Sequence, residues 1–204
     1  MKTWLITVSV ATALVCGGAY AASGDAKAGE KKAAPCTACH GPGGNSVVPM
    51  WPKLAGQQPE YIVKQLTDFK SGARVNGQMS PQAAPLAEQD ILDLAAYFSS
   101  QQQSGGTADP SAVALGSTVY RGGNPASGVP ACSGCHTPTG GGLGLAKFPR
   151  LSGQHAQYVE QTLKNFRDGA RANDPNGMMR GVAANMTDKE IAAISQYVQG
   201  LTGQ

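Results

Sequence analysis

The 204-residue chain is 41% hydrophobic and 14% charged, which places it among soluble globular sequences with room for one medium domain or two small ones. Its net charge of +3 comes from scattered Lys and Arg with no like-charge block, so neither a disordered charged tail nor a nucleic-acid-binding surface is indicated. Aromatic residues make up only 6% of the chain while glycine occurs 27 times, leaving few large side chains for a core unless a bound group helps to fill it.

The chain begins with Lys2, an apolar run from Trp4 to Cys16 and the small-x-small site Ala19-Tyr20-Ala21, which reads as a signal peptide over residues 1–21. The run is too short for a comfortable membrane span, and no second stretch of spanning length follows. Val15 is not the small residue a lipoprotein site needs before Cys16. The expectation is an exported, soluble protein cleaved after Ala21 or nearby.

Four cysteines then remain, in two clusters: Cys36-Thr37-Ala38-Cys39-His40 and Cys132-Ser133-Gly134-Cys135-His136. Each is C-x-x-C-H, the pattern of c-type haem attachment. Two cysteines three apart near a helix end can each form a thioether with one vinyl group of a haem, which pins the adjacent histidine beneath the iron. A shared tetrahedral zinc site would need the two clusters to converge, although each lies in its own repeat. A thiol-disulfide redox pair requires neither the histidine nor the duplication. The reading is two covalent haems per chain, on Cys36, Cys39, Cys132 and Cys135, with His40 and His136 as iron ligands.

The repeat organises the rest of the chain. Trp51-Pro52-Lys53-Leu54-Ala55-Gly56-Gln57 matches Phe148-Pro149-Arg150-Leu151-Ser152-Gly153-Gln154, and Tyr61, Leu66, Phe69, Gly72, Ala73 and Arg74 recur as Tyr158, Leu163, Phe166, Gly169, Ala170 and Arg171. Small insertions, one of them around Asp174-Pro175-Asn176, shift the register. Within the first half, Pro59-Glu60 and the run to Phe69 predict a helix stopped by Gly72. Ile91, Leu94, Ala95 and Phe98 give the apolar stripe of a closing helix. Residues 99–109 form a polar Gly/Ser/Gln-rich linker. Asp109-Pro110 predicts a helix start. In the second half, Thr187 and Glu190 form a capping box before a closing helix carrying Ile191, Ile194, Val198 and Leu201. No alternating strand pattern competes. The expected architecture is all-α, with domains at 22–98 and 110–204, each of three or four short helices around a large apolar ligand.

The sixth iron ligand separates a carrier from a gas-binding or catalytic haem. Methionine is the residue to seek, because a His/Met pair stabilises ferrous iron and raises the potential. Met79 lies seven residues before Leu86 and twelve before Ile91; Met179 stands in the same relation to Met186 and Ile191. The repeat register therefore selects Met79 and Met179, with Met178 as a rival in the second half. Met186 takes the place of a core leucine, and Met50 lies too close to His40 in sequence.

The motifs CTACH, WPKLAGQ, VYRGG, ACSGCH, FPRLSGQH, NFRDGAR, MRGVAA and SQYVQG resemble those of the dihaem cytochrome c4 family over essentially the whole mature length. The resemblance implies two tandem class I cytochrome c domains related by an approximate two-fold, each holding a low-spin His/Met haem. It also implies a periplasmic electron carrier, soluble or loosely held at the membrane and monomeric. Such a carrier works between a respiratory donor such as a bc1-type complex and a terminal haem-copper oxidase, one of the cbb3 type included. It independently supports Met79 and Met179 as ligands. Pro52 and Pro149 resemble the proline whose carbonyl accepts the proximal histidine's other N–H. His155, matched by Gln58, reads as a surface or interface residue, and Lys53, Arg150, Arg74 and Arg171 as partners of haem propionates or solvated charges.

By charge, the first half balances seven Lys/Arg against seven Asp/Glu and the second sets eight against six. Near-neutral haem-loaded domains predict partner docking with a mild salt dependence. Two function classes follow. One is a non-enzymatic carrier taking single electrons into one haem, across to the other and out to an acceptor. The alternative is a dihaem c-type enzyme such as a peroxidase, which needs one open iron site. The equivalent methionine in both halves favours the carrier.

Overall fold

The computed structural model describes residues 23–202. The expected signal peptide, residues 1–21, lies outside the described residues. Two helical halves follow one another, and the helices within each are set by local signals. α1 (Ala26–Lys32) is capped by Asp25, whose carboxylate accepts from the Lys27 and Ala28 N–H groups. α2 (Ala34–His40) carries the first C-x-x-C-H motif and has proline in its first turn. α3 (Pro59–Ser71) begins at the predicted proline and ends at Gly72, which takes the left-handed φ of 81° that favours glycine. α4 (Met79–Ala83) and α5 (Glu88–Ser100) complete the first half.

The second half repeats the plan with α6 (Pro110–Gly122), α7 (Ser133–His136), α8 (Ala156–Arg167), α9 (Met178–Ala183) and α10 (Asp188–Gly200). Asp109 caps α6 through the Ser111 N–H, with Pro110 in the first turn. Thr187 and Glu190 form the reciprocal capping box of α10. Among the described residues each half thus has five α-helices rather than three or four. The short ones, α2, α4, α7 and α9, are too brief to show a helical period in the sequence. Two isolated bridges, Asn124 with Val129 and Leu143 with Phe148, are the β pairing among the described residues. No helix among the described residues is long and apolar enough to cross a membrane.

The first and last helices of each half cross closely, α1 on α5 and α6 on α10. Glycine permits the approach: a Cβ on Gly29 would lie 2.0 Å from the Asp93 carbonyl oxygen, and one on Gly116 2.3 Å from that of Ala193. Behind the crossings lie two apolar cores. One gathers Ala33, Ile62, Leu94, Ala95 and Phe98. The other is larger and includes Tyr120, Val159, Leu163, Met186 and Ile191. Met186 is buried there, as the repeat with Leu86 predicts.

The closing helix of the first half runs to Ser100, so Ser99 and Ser100 belong to α5 rather than to the linker. Their hydroxyls donate to the Ala96 and Tyr97 carbonyls, which supplies polar partners for the last turn. The connection that follows is fastened to both halves. Asn45 bonds Gln102 and Ser104, the Lys53 ammonium donates to the Ser104 and Gly105 carbonyls, and Gln199 donates to the Thr107 carbonyl.

Candidate haem sites

In both halves the histidine of the motif sits at the end of a short helix and is buried, at 6% exposure. The next residue must turn the chain away. Gly41 does so with φ 74°, and Thr137 with φ 68°. A threonine in that conformation is strained, and the site compensates: the Thr137 carbonyl accepts from the Tyr120 hydroxyl at 2.7 Å, and its Oγ1 accepts from the Gly141 N–H at 3.0 Å. A glycine loop then folds back. The Gly44 carbonyl accepts from the Leu54 and Ala55 N–H groups, and the Gly140 carbonyl from those of Leu151 and Ser152.

This return places a proline carbonyl against each histidine. His40 Nδ1 donates to the Pro52 carbonyl at 2.8 Å, and His136 Nδ1 to that of Pro149 at 2.9 Å. A carbonyl oxygen can only accept, so Nδ1 carries the ring proton and Nε2 keeps its lone pair. Burial pushes both imidazoles below the ordinary histidine range, while the proline carbonyls oppose the shift. Both rings are thereby held neutral and oriented, the state an iron-ligating nitrogen requires.

None of the four motif cysteines is engaged in a disulfide. Cys36 and Cys132 are half-buried against the two cores. Cys39 and Cys135 are exposed. No group of three or more His, Cys, Asp and Glu side chains suited to a bare metal ion occurs among the described residues. A haem fits these donors: two pairs of cysteines at attachment spacing and outside any disulfide, two oriented imidazoles, and a buried Arg150 Nε that has no partner in the polypeptide and suits a propionate.

The methionines divide by environment. Met79 opens α4, half-buried, with its N–H donated to Asn76 Oδ1. Met179 is half-buried and packs on the second core. Met178 is 43% exposed and Met50 57%. α4 rests on α3 and α9 on α8, so each half presents its methionine from the segment that follows its middle helix.

Sequence reasoning expected paired halves but named neither the glutamines nor the arginine contacts that join them. Gln57 bonds the backbone of Arg150 and Gln154 that of Lys53. Gln58 donates to the Gly141 carbonyl, and the His155 ring bonds the Ser46 carbonyl, confirming the interface reading of that histidine. Arg171 donates to the Tyr61 hydroxyl and to Gln65, and stacks over Phe166; Arg74 stacks over Phe69 and also reaches Gln65. Burial would raise the Tyr158 phenol, but the two guanidiniums beside it bring it down to about 8. Lys53 and Arg171 are buried, not solvated charges. The recurring spacing of Phe69 to Arg74 and Phe166 to Arg171 was the available signal.

A family model described as Cytochrome c matches residues 26–102 and 113–202. The chain is 64% identical over 181 residues to cytochrome c4 of Thiocapsa roseopersicina, covering 88% of this chain and 94% of that protein. The crystal structure of reduced recombinant cytochrome c4 from Pseudomonas stutzeri superposes with a TM-score of 0.85 at 49% identity, covering 88% of this chain and all of that one. A thiosulfate dehydrogenase electron acceptor of Thiomonas intermedia is 39% identical over 183 residues, covering 88% of this chain and 84% of that protein. With two Cytochrome c domains in one mostly helical chain, the protein belongs to the cytochrome c4 family of dihaem c-type electron-transfer proteins.

Proposed function

We propose that Cys36 and Cys39 would hold one haem and Cys132 and Cys135 the other, with His40 and Met79 as the ligands of the first iron and His136 and Met179 as those of the second. The observation that carries this reading is the duplicated Nδ1–H bond to a proline carbonyl, which leaves each Nε2 free as a ligand. When bound, each haem supplies a reversible one-electron iron couple. The chain's part is to close both faces of the iron, exclude water and raise the potential with the thioether sulfur. Closed sites leave no position for substrate, so the protein carries electrons and does not act as a peroxidase.

The carrier works in the periplasm as a monomer, exported by residues 1–21 and free or loosely held at the membrane. It takes electrons from a bc1-type complex and delivers them to a terminal haem-copper oxidase such as a cbb3-type enzyme. The likeness to a protein named as a thiosulfate dehydrogenase electron acceptor supports a second donor, thiosulfate dehydrogenase.

The test is the visible and far-red spectrum of the purified haem-loaded protein, ferric and then ferrous under carbon monoxide. A methionine-to-iron charge-transfer band with intensity for two haems, and no carbon monoxide shift, is expected. Met79→Ala should open the first haem alone, Met179→Ala the second alone, and Met178→Leu neither. Carbon monoxide binding to half of the native haem would overturn the closed-site reading.

A further inference from the structure

The second half is longer than the first between its interface arginine and its methionine: Met79 follows Arg74 by five positions, Met179 follows Arg171 by eight. In the first half this segment closes on itself, for Asn76 Oδ1 accepts the Gln78 and Met79 N–H groups at the start of α4. In the second half the longer segment reaches the other domain. Lys64 Nζ on α3 donates to the Asn173 carbonyl at 2.7 Å, and Asn173 Nδ2 donates to Gln65 Oε1 at 3.0 Å and to the Asp68 carboxylate. Arg171 Nε fixes Asn173 Oδ1 at 2.9 Å.

The next residue carries the connection onward. The buried Asp174 carboxylate accepts from the Arg180 N–H and from Arg180 Nε, both at 2.9 Å, and Arg180 follows Met179 in the first turn of α9. Two sets of hydrogen bonds, several of them charge-assisted and linked through the Asn173–Asp174 peptide, therefore join α3 of the first domain to the methionine helix of the second.

We infer that Asn173 is a positioning residue through which the first domain holds the second haem's methionine in place, while Met79 depends on its own domain alone. The inference rests on Met179 being an iron ligand. It makes a duplicated protein functionally unequal, with the second ligand loop braced from outside.

The test uses the ferric haem-loaded protein with imidazole as the competing ligand, and NMR of the axial methionine methyl groups to tell the haems apart. Asn173→Ala should raise imidazole affinity at the second haem about tenfold, the equivalent of one lost hydrogen bond, and leave the first haem unchanged. Lys64→Met, a change on the first domain, should act on the second haem in the same direction, and Lys64→Arg should restore it. An equal rise at both haems, or none at either, overturns the inference. So does an effect of Asn173→Ala that Lys64→Met does not share, since that marks a change local to α9. Met179→Ala serves as the control: if it leaves imidazole binding at the second haem unchanged, the ligand reading has failed rather than the brace.

Discussion

Gln154 holds the Lys53 peptide from both sides, its Nε2 donating to the Lys53 carbonyl and its Oε1 accepting the Lys53 N–H, each at 2.9 Å. Gln57 does the same to Arg150, accepting the N–H at 2.7 Å and donating to the carbonyl at 3.0 Å. Gln57 and Gln154 are equivalent in the repeat, as are Lys53 and Arg150. The two halves thus meet through one surface used twice, the isologous contact of a two-fold dimer formed within a single chain.

Replacing either glutamine with alanine strands a backbone N–H and carbonyl, a cost of about 1–3 kcal/mol. The bonds of Gln154 are the more buried, so Gln154→Ala should lower stability more than Gln57→Ala. The double variant should lose less than the sum, because opening one end of the contact loosens the other. Denaturant unfolding of the haem-loaded protein measures all three. Strict additivity would mean that the two clasps hold independently.

Much of this was legible before the fold was known. The haem motifs, the repeat, the proline at the start of α3, the Gly72 stop, the Asp109 cap and the Thr187–Glu190 box are all written within a few residues of where they act. The proline carbonyl bonds were also foreseen, from family likeness. What escaped depends on partners far along the chain. The glutamine of the WPKLAGQ block is visible as a repeated residue, but nothing beside it says that it faces Arg150. Lys53, Arg74 and Arg171 read as propionate partners or solvated charges because sequence cannot show that linker carbonyls, phenylalanine rings and tyrosines lie against them. The short helices escaped for another reason: with four to seven residues they make at most two turns, too few for an apolar stripe to recur.

Asp93 makes the first domain acid-sensitive. Buried in α5, it accepts from the Asp25 N–H at 2.9 Å, Lys32 Nζ at 2.6 Å and Gln89 Nε2 at 2.8 Å, and these donors hold its carboxyl at about 2 instead of 3.8. A depressed carboxyl stabilises fully above its unfolded value and loses that contribution as pH falls through the folded one. The window is therefore from about pH 4 down to about pH 2. The repeat puts Ala193 at this place in the second half. Acid should detach α1 from α5 before α6 leaves α10, as followed by NMR of the haem-loaded protein. Asp93→Asn should flatten the pH dependence of α1. Equal loss of α1 and α6 in the parent protein, unaltered in the variant, would show that Asp93 does not govern the transition.

The two closing helices are unequally capped, and the deficit can be repaired. Thr187 precedes α10 with φ −76° and ψ 157°; Ala87 precedes α5 with φ −71° and ψ 163°, nearly the same geometry. Thr187 Oγ1 accepts the Glu190 N–H at 3.2 Å, and Glu190 Oε2 accepts the Thr187 N–H at 2.8 Å. In the first half only the second of these bonds exists, from the Ala87 N–H to Asp90 Oδ2 at 2.8 Å, because alanine offers no side-chain oxygen. Ala87 is exposed, so a larger side chain is accommodated. Ala87→Thr should complete the box and stabilise the first domain by about 1 kcal/mol. For a domain of this size that corresponds to roughly 4–8 °C in its unfolding midpoint. Thr187→Ala should lower the second domain by a comparable amount. Calorimetry of both variants decides the matter: a fall in the second domain without a rise in the first would mean that Asp90 alone already satisfies the start of α5.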